Sequence, residues 1–418
     1  MFTKLLVANR GEIAVRIIRA CKEMGIRTVA VYSKADAESI HVALADEAIC
    51  IGEAAAKDSY LNQERIVSAA IASKAQAIHP GYGFLAENAS FANLCKKHGI
   101  AFIGPSGDLI ARMGDKDAAR RLMQQSGVPT IPGTEILEDA AAAKAAAEKI
   151  GYPVMLKASA GGGGKGIRLV RTPEEIEQAF NTASSEAQQA FGDGRMYMEK
   201  YIYPAKHIEV QLLCDDQGNV VCLGERECSI QRNNQKLIEE SPSPGVSKEK
   251  RRELFAAATK AAKAVGYVNA GTVEFLMDKD KNFYFMEMNT RLQVEHPVSE
   301  LVTGKDIVKW QIRIAAGVEL DCTQDDIKVR GAAIECRINA GGVGKVNFLH
   351  IPSGPWVRFD TFLYQGYEVP PFYDSMLGKM IVFSSTREEA IRKMQSALCE
   401  LVIGGLPNNI ENQINIIR

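Results

Sequence analysis

Short apolar runs alternate with helix-like segments in the N-terminal part of the chain. Four runs have the length of strands: Lys4–Ala8, Thr28–Tyr32, Ala75–Ile78 and Ala101–Ile103. The segment after the first run carries apolar residues at helical spacing: Ile13, Ile17, Ile18 and Cys21. Gly25 ends this predicted helix. Strands that alternate with helices predict an α/β fold with a parallel, doubly wound sheet.

A dinucleotide site is a common function of such a start, because a glycine-rich turn after the first strand can hold a pyrophosphate. Here the first strand leads into Asn9–Ala14, which contains no GxGxxG motif. The sequence therefore argues against a dinucleotide-binding domain.

The pattern changes near residue 114 and again near residue 330. Asp115–Ser126 and Ala140–Lys149 are predicted helices, and residues 152–218 have the pattern of a small α+β unit. The predicted strands between 220 and 289 are longer and carry many charges, and another strand is predicted at Ala332–Ile338. We therefore predict three domains, at 1–113, 114–330 and 331–418.

Composition and charge narrow the class of protein. The 418 residues are 46% hydrophobic, and 50 basic residues nearly balance 51 acidic ones. This balance gives no general attraction to nucleic acid or membrane, and no apolar run reaches the ~18 residues of a membrane span. The nine cysteines contain no CxxC pair. We expect reduced core thiols in a cytoplasmic or processed organelle protein, rather than a zinc site or disulfides.

A run of four glycines, 161–164, lies between two predicted strands and is flanked by Lys157 and Lys165. Glycines cost backbone entropy but let N–H groups approach a polyanion closely, and the lysines supply positive charge. The GxxxxGK[ST] order of a Walker loop is absent. The run predicts a flap that covers phosphates; the alternative is a flexible surface loop.

Two carboxylates stand on a predicted antiparallel hairpin. Glu274 lies in one strand, Glu287 and Asn289 lie in the next, and the short link 278–281 joins them. Alternation along each strand can place both carboxylates side by side, where they and an amide oxygen suit Mg²⁺. The alternative is a salt-bridged sheet face.

Further polar residues follow at regular spacing. Arg291, Gln293 and Glu295 are each two residues apart and can line one side of an extended segment. Arginine offers a planar donor fork for a small oxyanion, and a glutamate can act as a base. A second cluster, Gln231–Lys236, is interpreted either as phosphate and anion contacts or as a solvated loop.

These features together resemble biotin carboxylase, an ATP-grasp component of acetyl-CoA carboxylase, over nearly the whole chain. The matching motifs stand in the family's order: Val7–Ala14, His79–Asn88, Ile103–Pro105, Met113–Lys116, the glycine run, Glu287–Arg291, Gln293–Pro297, Ile334–Ala340 and Tyr373–Met376. The resemblance implies a Rossmann-like N-terminal domain, a central ATP-grasp domain with a mobile lid at about 132–203, and an α+β C-terminal domain.

The resemblance also implies how ATP and metal are bound. Phosphates are assigned to Lys116, Lys157, Gly163 and Gly164; adenine to Glu199, Lys200, Tyr201 and Ile202; and other nucleotide contacts to His207, Gln231 and Asn234. The metal ions, Mg²⁺ or Mn²⁺, are assigned to Glu274, Glu287 and Asn289.

The remaining assignments concern the reacting groups. Bicarbonate is assigned to Lys236, Arg291, Gln293 and Val294. Glu295 is the implied general base, Arg337 stabilises the biotin enolate, and Tyr82 lines the biotin pocket. The implied reaction is ATP-dependent carboxylation of biotin through carboxyphosphate, the first half-reaction of acetyl-CoA carboxylase in fatty acid synthesis.

The implied partners are a biotin carboxyl carrier protein, carboxyltransferase subunits and a second copy of the chain. Two alternatives stay open: the same half-reaction in a propionyl-CoA or pyruvate carboxylase, and a nucleotide-binding subunit with weakened catalysis.

Three departures from the family pattern bear on activity. Asn233 and Asn234 stand where the family usually has Arg and His, so altered ATP contacts are expected. An acidic, proline-containing loop after Ala340 is replaced by Gly341–Val343. Family members also usually continue past the position where this chain stops, which predicts a shortened C-terminal domain.

Residues resembling the family's dimer interface persist at Arg19, Glu23 and Arg358, but the facing aromatic is replaced by Pro355 with Trp356 beside it. A charged pair four residues apart shares one helix face and can equally be solvated. The expectation is a dimer held by the N- and C-terminal regions.

Overall fold

The computed structural model describes residues 1–160 and 166–418. Its N-terminal part contains five strands: β1 (Lys4–Val7), β2 (Arg27–Ser33), β3 (Glu47–Gly52), β4 (Ala77–His79) and β5 (Ala101–Phe102). It also contains five helices: α1 (Gly11–Glu23), α2 (Ile40–Leu44), α3 (Gln63–Ser73), α4 (Ala89–Lys97) and α5 (Gly107–Gly114). The strands form one parallel sheet in the order β3–β2–β1–β4–β5. The predicted parallel α/β start is confirmed.

Alternation along β1 explains why this sheet is covered on both faces. Leu5 and Val7 pack into the cluster that contains the apolar stripe of α1. Leu6 and Ala8 pack on the opposite face, in the cluster that contains α3 and α4 residues. Both faces are therefore buried, as a parallel sheet requires.

A small unit follows, with helices on one three-stranded sheet. It is preceded by α6 (Lys116–Gln125), which packs against the large sheet described below and one of its helices. The unit's own elements are α7 (Ala140–Ile150), β6 (Val154–Ala158), β7 (Ile167–Val170), α8 (Ile176–Phe191) and β8 (Met196–Lys200). The strands pair antiparallel in the order β7–β6–β8. This unit corresponds to the predicted lid, and the glycine run falls outside the described residues.

The remaining chain supplies most of the strands. The first group is β9 (Ala205–Cys214), β10 (Val220–Arg232), β11 (Gln235–Ser241), α9 (Lys248–Val265), β12 (Asn269–Asp278), β13 (Phe283–Asn289), α10 (His296–Thr303) and α11 (Ile307–Ala315). The second group is β14 (Ala332–Asn339), β15 (Gly344–Lys345), β16 (Phe348–His350), β17 (Val357–Thr361), β18 (Glu368–Val369), β19 (Met376–Ser384), α12 (Arg387–Glu400), β20 (Val402–Gly404) and α13 (Ile410–Ile417).

Eight of these strands form one antiparallel sheet in the order β13–β12–β9–β10–β11–β14–β19–β17. Strands from both sides of residue 330 share this sheet, through the pairing of β11 with β14. The predicted division into three domains stays a prediction. Within the described ranges, no helix combines the length and the apolar character needed to span a bilayer.

Candidate active site

A cavity of about 1050 Å³ lies where the N-terminal part, the small unit and the large sheet meet. Most of the side chains predicted for the site line it: Tyr82, Lys116, Lys157, Tyr201, Ile202, His207, Gln231, Asn234, Lys236, Glu274, Glu287, Asn289, Arg291, Gln293, Val294, Glu295 and Arg337. Glu199 and Lys200 lie outside this lining. Gly163 and Gly164 lie outside the described residues.

The large sheet places four charged residues in one row across neighbouring strands. Glu287 on β13 lies opposite Glu274 on β12, which lies opposite Glu209 on β9, which lies opposite Arg226 on β10. Residues directly opposite each other on adjacent strands project from the same face. The hairpin predicted from the sequence is confirmed, and it carries its two carboxylates at paired positions.

Lys236 joins three carboxylates at this row. Its Nζ donates to Glu209 Oε2 at 2.6 Å, to Glu295 Oε1 at 2.7 Å and to Glu274 Oε1 at 3.1 Å. Burial alone would lower the pKa of Lys236, but the surrounding carboxylates raise that pKa well above its usual value. Lys236 is therefore a fixed cation in the wall of the cavity.

Glu295 is the N-cap residue of α10, and its side chain makes no capping hydrogen bond to the helix. Glu295 is 2% exposed. Burial would raise its pKa, but Lys236, Arg337 and Arg226 together hold the pKa of this carboxyl well below its usual range. Arg337 Nη2 donates to Glu295 Oε2 at 3.0 Å. Glu295 is consequently ionised, with both oxygens held by cations.

Three buried partners of this cluster were missed by the sequence analysis: Glu209, Arg226 and Glu239. Arg226 is fully buried and donates to Glu209 Oε1 at 2.5 Å and to Gln293 Oε1 at 2.6 Å. Arg337 Nε donates to Glu239 Oε1 at 2.6 Å. The available signal was a charged residue within a predicted strand, because a charge that a strand buries is rarely left unpaired.

Gln293 uses both ends of its amide. Its Nε2 donates to Glu274 Oε1 at 2.7 Å, and its Oε1 accepts from Arg226. The backbone from Gln293 to His296 forms a turn, closed by a 3.4 Å hydrogen bond, rather than the extended segment that the spacing suggested. Arg291, Gln293 and Glu295 nevertheless all face the cavity, so the predicted grouping holds with a different backbone.

Arg291 is anchored from the N-terminal part of the molecule. Its Nε donates to Glu87 Oε2 at 2.9 Å, and its Nη2 donates to Asn289 Oδ1 at 3.2 Å. Glu87 lies in the motif His79–Asn88, so that motif contributes an anchor for Arg291, the arginine assigned to bicarbonate.

The residues assigned to metal fit a hard divalent cation. Glu274 Oε1 accepts from Asn289 Nδ2 at 2.9 Å, and Lys116 Nζ lies 3.1 Å from Glu287 Oε2. Lys236 and His207 hold the pKa of Glu274 well below its usual range despite its burial. Two carboxylates and an amide oxygen at the cavity wall are the donor set that Mg²⁺ prefers.

The nucleotide end of the cavity is more open. Lys116 begins α6, whose N-cap Asp115 accepts from the Ala118 N–H at 3.0 Å. Tyr201 and Tyr203 stack with ring centroids 5.8 Å apart, and Tyr203 is 78% exposed. Two stacked aromatic rings, of which Tyr201 is half-buried, line the same cavity as Lys116 and suit a base and its phosphates.

Lys157, Glu199 and Lys200 are already engaged within the small unit. Lys157 forms an ion pair with Glu199, and Lys200 Nζ donates to the carbonyls of Gly151 and Tyr152 at 2.7 and 3.1 Å. Their predicted contacts with ATP stay predictions.

His207 and Gln231 form a pair beside Glu274. Gln231 Nε2 lies 3.1 Å from His207 Nδ1, and His207 Nε2 lies 2.9 Å from Glu274 Oε2. Burial would lower the pKa of His207, but Glu274 raises it above the usual value. Glu274 thus favours the protonated form of His207 at the junction of the two ends.

The cluster Gln231–Lys236 forms the tip of a hairpin, in which residues 231–235 are exposed and Lys236 is half-buried, so both interpretations of the cluster stay predictions. Strands β10 and β11 pair up to Arg232 and Gln235, which leaves Asn233 and Asn234 as a two-residue turn. Both have positive φ, 52° and 61°. This is the type I′ geometry of tight hairpins, which asparagine tolerates well.

The end assigned to biotin contains Tyr82 and Arg337. The Tyr82 hydroxyl donates to Glu12, at the start of α1, and both residues line the cavity. The short segment after Ala340 packs against the C-terminal region, where the Gly341 N–H donates to the Pro407 carbonyl at 2.7 Å.

Residues expected at a dimer interface make contacts within the chain. Glu23 pairs with Lys309 at 2.6 Å, and Arg358 pairs with Glu300 at 2.9 Å. Arg19 is exposed, and Trp356 is 62% exposed with a φ of 63°. These residues therefore leave an aromatic ring and a charge facing solvent.

Comparisons with known proteins agree with this geometry. Residues 1–110 match the family described as Biotin carboxylase, N-terminal domain, and residues 335–418 match Biotin carboxylase C-terminal domain. Residues 115–323 match Carbamoyl-phosphate synthase L chain, ATP binding domain.

Individual relatives match over the whole chain. Biotin carboxylase 1 of Bacillus subtilis is 54% identical, across 100% of this chain and 95% of that protein. A crystal structure of a biotin carboxylase–beta-gamma-ATP complex from Campylobacter jejuni has a TM-score of 0.97 at 50% identity, covering 100% of this chain and 95% of that one.

A third similar structure is the biotin carboxylase domain dimer of Hydrogenobacter thermophilus 2-oxoglutarate carboxylase, in complex with MgADP, ADP and bicarbonate. Its TM-score is 0.95 at 51% identity, covering 100% of this chain and 94% of that one. With the fold, the paired carboxylates and these relatives in agreement, the chain belongs to the biotin carboxylase family of ATP-dependent carboxylases.

Proposed function

We propose that this chain uses ATP and bicarbonate to carboxylate biotin on a biotin carboxyl carrier protein, as the first half-reaction of acetyl-CoA carboxylase. The observation that carries the proposal is the junction of Glu295, Lys236 and Arg337. An ionised carboxylate, held between two cations, faces a cavity that also presents a metal-suited carboxylate pair.

Glu295 is the proposed base. Bicarbonate is a poor electrophile, and its deprotonation makes its oxygen a nucleophile toward the γ-phosphate of ATP. A bicarbonate beside Arg291 and Lys236 would place its hydroxyl toward Glu295. The low pKa of Glu295 keeps it ionised, so its carboxylate is available to accept the proton.

The cations of the site stabilise the transferring phosphoryl group. Lys116, at the start of α6, and Lys157, on β6 of the small unit, both line the cavity and supply positive charge. Glu274, Glu287 and Asn289 would hold Mg²⁺, which supplies further neutralisation of the phosphate oxygens when bound. These residues concentrate charge where the phosphoryl group passes.

Arg337 is proposed to act in the second step. Carboxyphosphate decomposes to CO₂ and phosphate, and phosphate takes the proton from the biotin ureido nitrogen. The resulting negative ureido oxygen needs a fixed cation, and Arg337 is anchored by Glu239 with one side toward the cavity. Tyr82 supports this end through its ring, since its hydroxyl is engaged by Glu12.

The small unit is proposed to exclude water, because carboxyphosphate is unstable in water. The sheet β7–β6–β8 covers the nucleotide end, and Lys157 lies on it beside the glycine run. Closure of the glycine run over ATP stays part of this proposal.

The proposed partners are a carrier protein, carboxyltransferase subunits and a second copy of this chain, in the cytoplasm. The related 2-oxoglutarate carboxylase domain is a dimer, which supports a dimer here. That relative also serves a different acceptor at 51% identity, so the same half-reaction can feed acceptors such as 2-oxoglutarate, pyruvate or propionyl-CoA.

One assay tests the proposal. ATP hydrolysis by the purified chain is measured with and without bicarbonate, and with and without free biotin, while carboxybiotin is quantified by mass spectrometry. We expect hydrolysis to require bicarbonate and to rise with biotin. Nucleotide binding without bicarbonate-dependent hydrolysis would favour a nucleotide-binding subunit instead.

A further inference from the structure

The turn that presents Glu295 is held from behind by groups outside the proposed chemistry. The carbonyl of Gln293 accepts from the His296 ring, whose Nδ1 lies 2.8 Å away. The carbonyl of Val294 accepts from Lys379 Nζ at 2.5 Å. These two successive carbonyls therefore accept hydrogen bonds from His296 and Lys379, which do not line the cavity.

Lys379 is suited to fix this turn. It lies on β19 opposite Arg337 of β14, and its side chain is fully buried. The peptide between Val294 and Glu295 is trans, so its N–H points opposite to its carbonyl. Holding the carbonyl at Lys379 therefore sets the direction of the Glu295 N–H and the origin of its side chain.

Lys379 is itself held by the N-terminal part of the molecule. Its Nζ lies 3.1 Å from Glu12 Oε1, and Glu12 also accepts from the Tyr82 hydroxyl. Lys379 further lies 5.8 Å from the centre of the Tyr82 ring. The contacts run from Tyr82 through Glu12 and Lys379 to Val294, which joins the biotin end to the base.

We propose that Lys379 and Glu12 are positioning residues for Glu295: Glu12 fixes Lys379, and Lys379 fixes the Val294 carbonyl and hence the base. This inference rests on the proposed function, because Glu295 acts as the base there. A purely structural role for the buried pair would change stability and leave the kinetic constants of the folded enzyme unchanged.

The test uses the full chain and two variants. Lys379→Met removes the cation but leaves Glu12, Asp360 and Glu335 in an interior without it. The double variant Glu12→Gln/Lys379→Met removes one charge of each sign, which is far better tolerated in a buried pair. It is the variant to use if the single variant does not fold.

A matched control is available in Lys4→Met. Lys4 Nζ also donates to one carboxylate and one backbone carbonyl, Glu47 at 2.7 Å and Ser73 at 2.8 Å. That pair lies in the N-terminal sheet and does not line the cavity. Lys4→Met therefore measures how the loss of a paired lysine away from Glu295 changes the kinetic constants.

We expect about 100-fold lower kcat/KM for bicarbonate in the double variant, with KM for ATP unchanged, because small misplacements of a reacting group cost about this much. The control should keep wild-type constants. A folded double variant with wild-type kcat/KM for bicarbonate would overturn the inference.

A second readout is independent of activity. In a crystal structure of the double variant, the peptide between Val294 and Glu295 should have rotated, and an unchanged turn would also overturn the inference. Absence of bicarbonate-dependent hydrolysis in the wild type would instead refute the proposed function, and the rotation of the peptide would still decide the positioning role.

Discussion

The two ends of the cavity are built differently. At the end assigned to bicarbonate, Glu295 is 2% exposed, Glu209 is fully buried, and Lys236 contacts both. At the nucleotide end, Lys116 and Glu287 form a pair in which each side chain is about one third exposed.

The difference follows from the solvation of charge. A buried charge must be paired in the folded protein, so the base and its cations are in place before any substrate binds. A half-exposed pair gains little from its own contact and can exchange it for phosphate or metal. One end is thus organised by folding, and the other is completed by its ligand.

The largest expected effect is on catalysis at the buried end. Glu295→Gln keeps the shape of the side chain but removes the proton acceptor, so bicarbonate-dependent hydrolysis should fall by about 10²–10⁴-fold. Binding of MgATP, measured by calorimetry, should stay near the wild-type value. The control is Glu240→Gln, since Glu240 lies on β11 and pairs with Arg387. Wild-type turnover in the Glu295 variant would refute its role as base.

The next effect is on stability. Lys236→Met leaves three buried carboxylates without their common cation, and should lower the free energy of unfolding by about 3–5 kcal/mol. Lys116→Met, the matched change at the open end, should cost less than about 1 kcal/mol. Urea denaturation of both variants measures the two values. Equal costs would mean that the two ends do not differ in the way described.

Lys116→Met should instead weaken nucleotide binding. A hydrogen bond to a charged phosphate is worth about 1.5–3 kcal/mol, so the Kd for ATP should rise roughly 10-fold or more. Calorimetric titration with ATP in the absence of bicarbonate measures this. A wild-type Kd would remove Lys116 from the phosphate site.

The features of the fold that depend on local sequence patterns were predictable. The hairpin of Glu274 and Glu287 was predictable, because strand alternation and a short link determine which residues are opposite. The parallel N-terminal sheet was also predictable, because the alternation of short apolar runs with helix-like segments is visible in the local sequence. The residues resembling the family's active site also mostly line the cavity.

Contacts between distant segments were not predictable. Arg226 of β10 meets Gln293 in the turn before α10, and Lys379 of β19 meets Glu12 of α1, across large sequence separations that only the folded chain brings together. The type I′ turn at Asn233 and Asn234 was missed because its residues were interpreted by their charge and hydrogen-bonding capacity. Their tolerance of positive φ was the signal that could have revealed it.

A smaller effect is expected in the pH dependence of stability. Burial raises the pKa of Glu239 from 4.5 to about 7, despite its contact with Arg337. The stability that this group contributes is fully present below pH 4.5 and is lost as the pH rises through 7.

Glu239→Gln should remove that loss, which amounts to at most about 1.4 kcal/mol per pH unit. Urea denaturation between pH 5 and pH 8 compares the variant with the wild type, and Lys116→Met serves as the reference from the open end. Parallel pH profiles for wild type and Glu239→Gln would show that this carboxyl does not titrate in the window.

The smallest effect concerns the turn between β10 and β11, which reaches the open end of the cavity through Asn234. Asn234→Gly and Asn234→Ala both delete the amide, but only glycine adopts the positive φ of 61° without strain. Alanine should therefore cost about 1 kcal/mol of stability more than glycine. If the amide contacts ATP, both variants should raise KM for ATP equally. A rise in the alanine variant alone would mean that the position acts through the geometry of the turn rather than through its side chain.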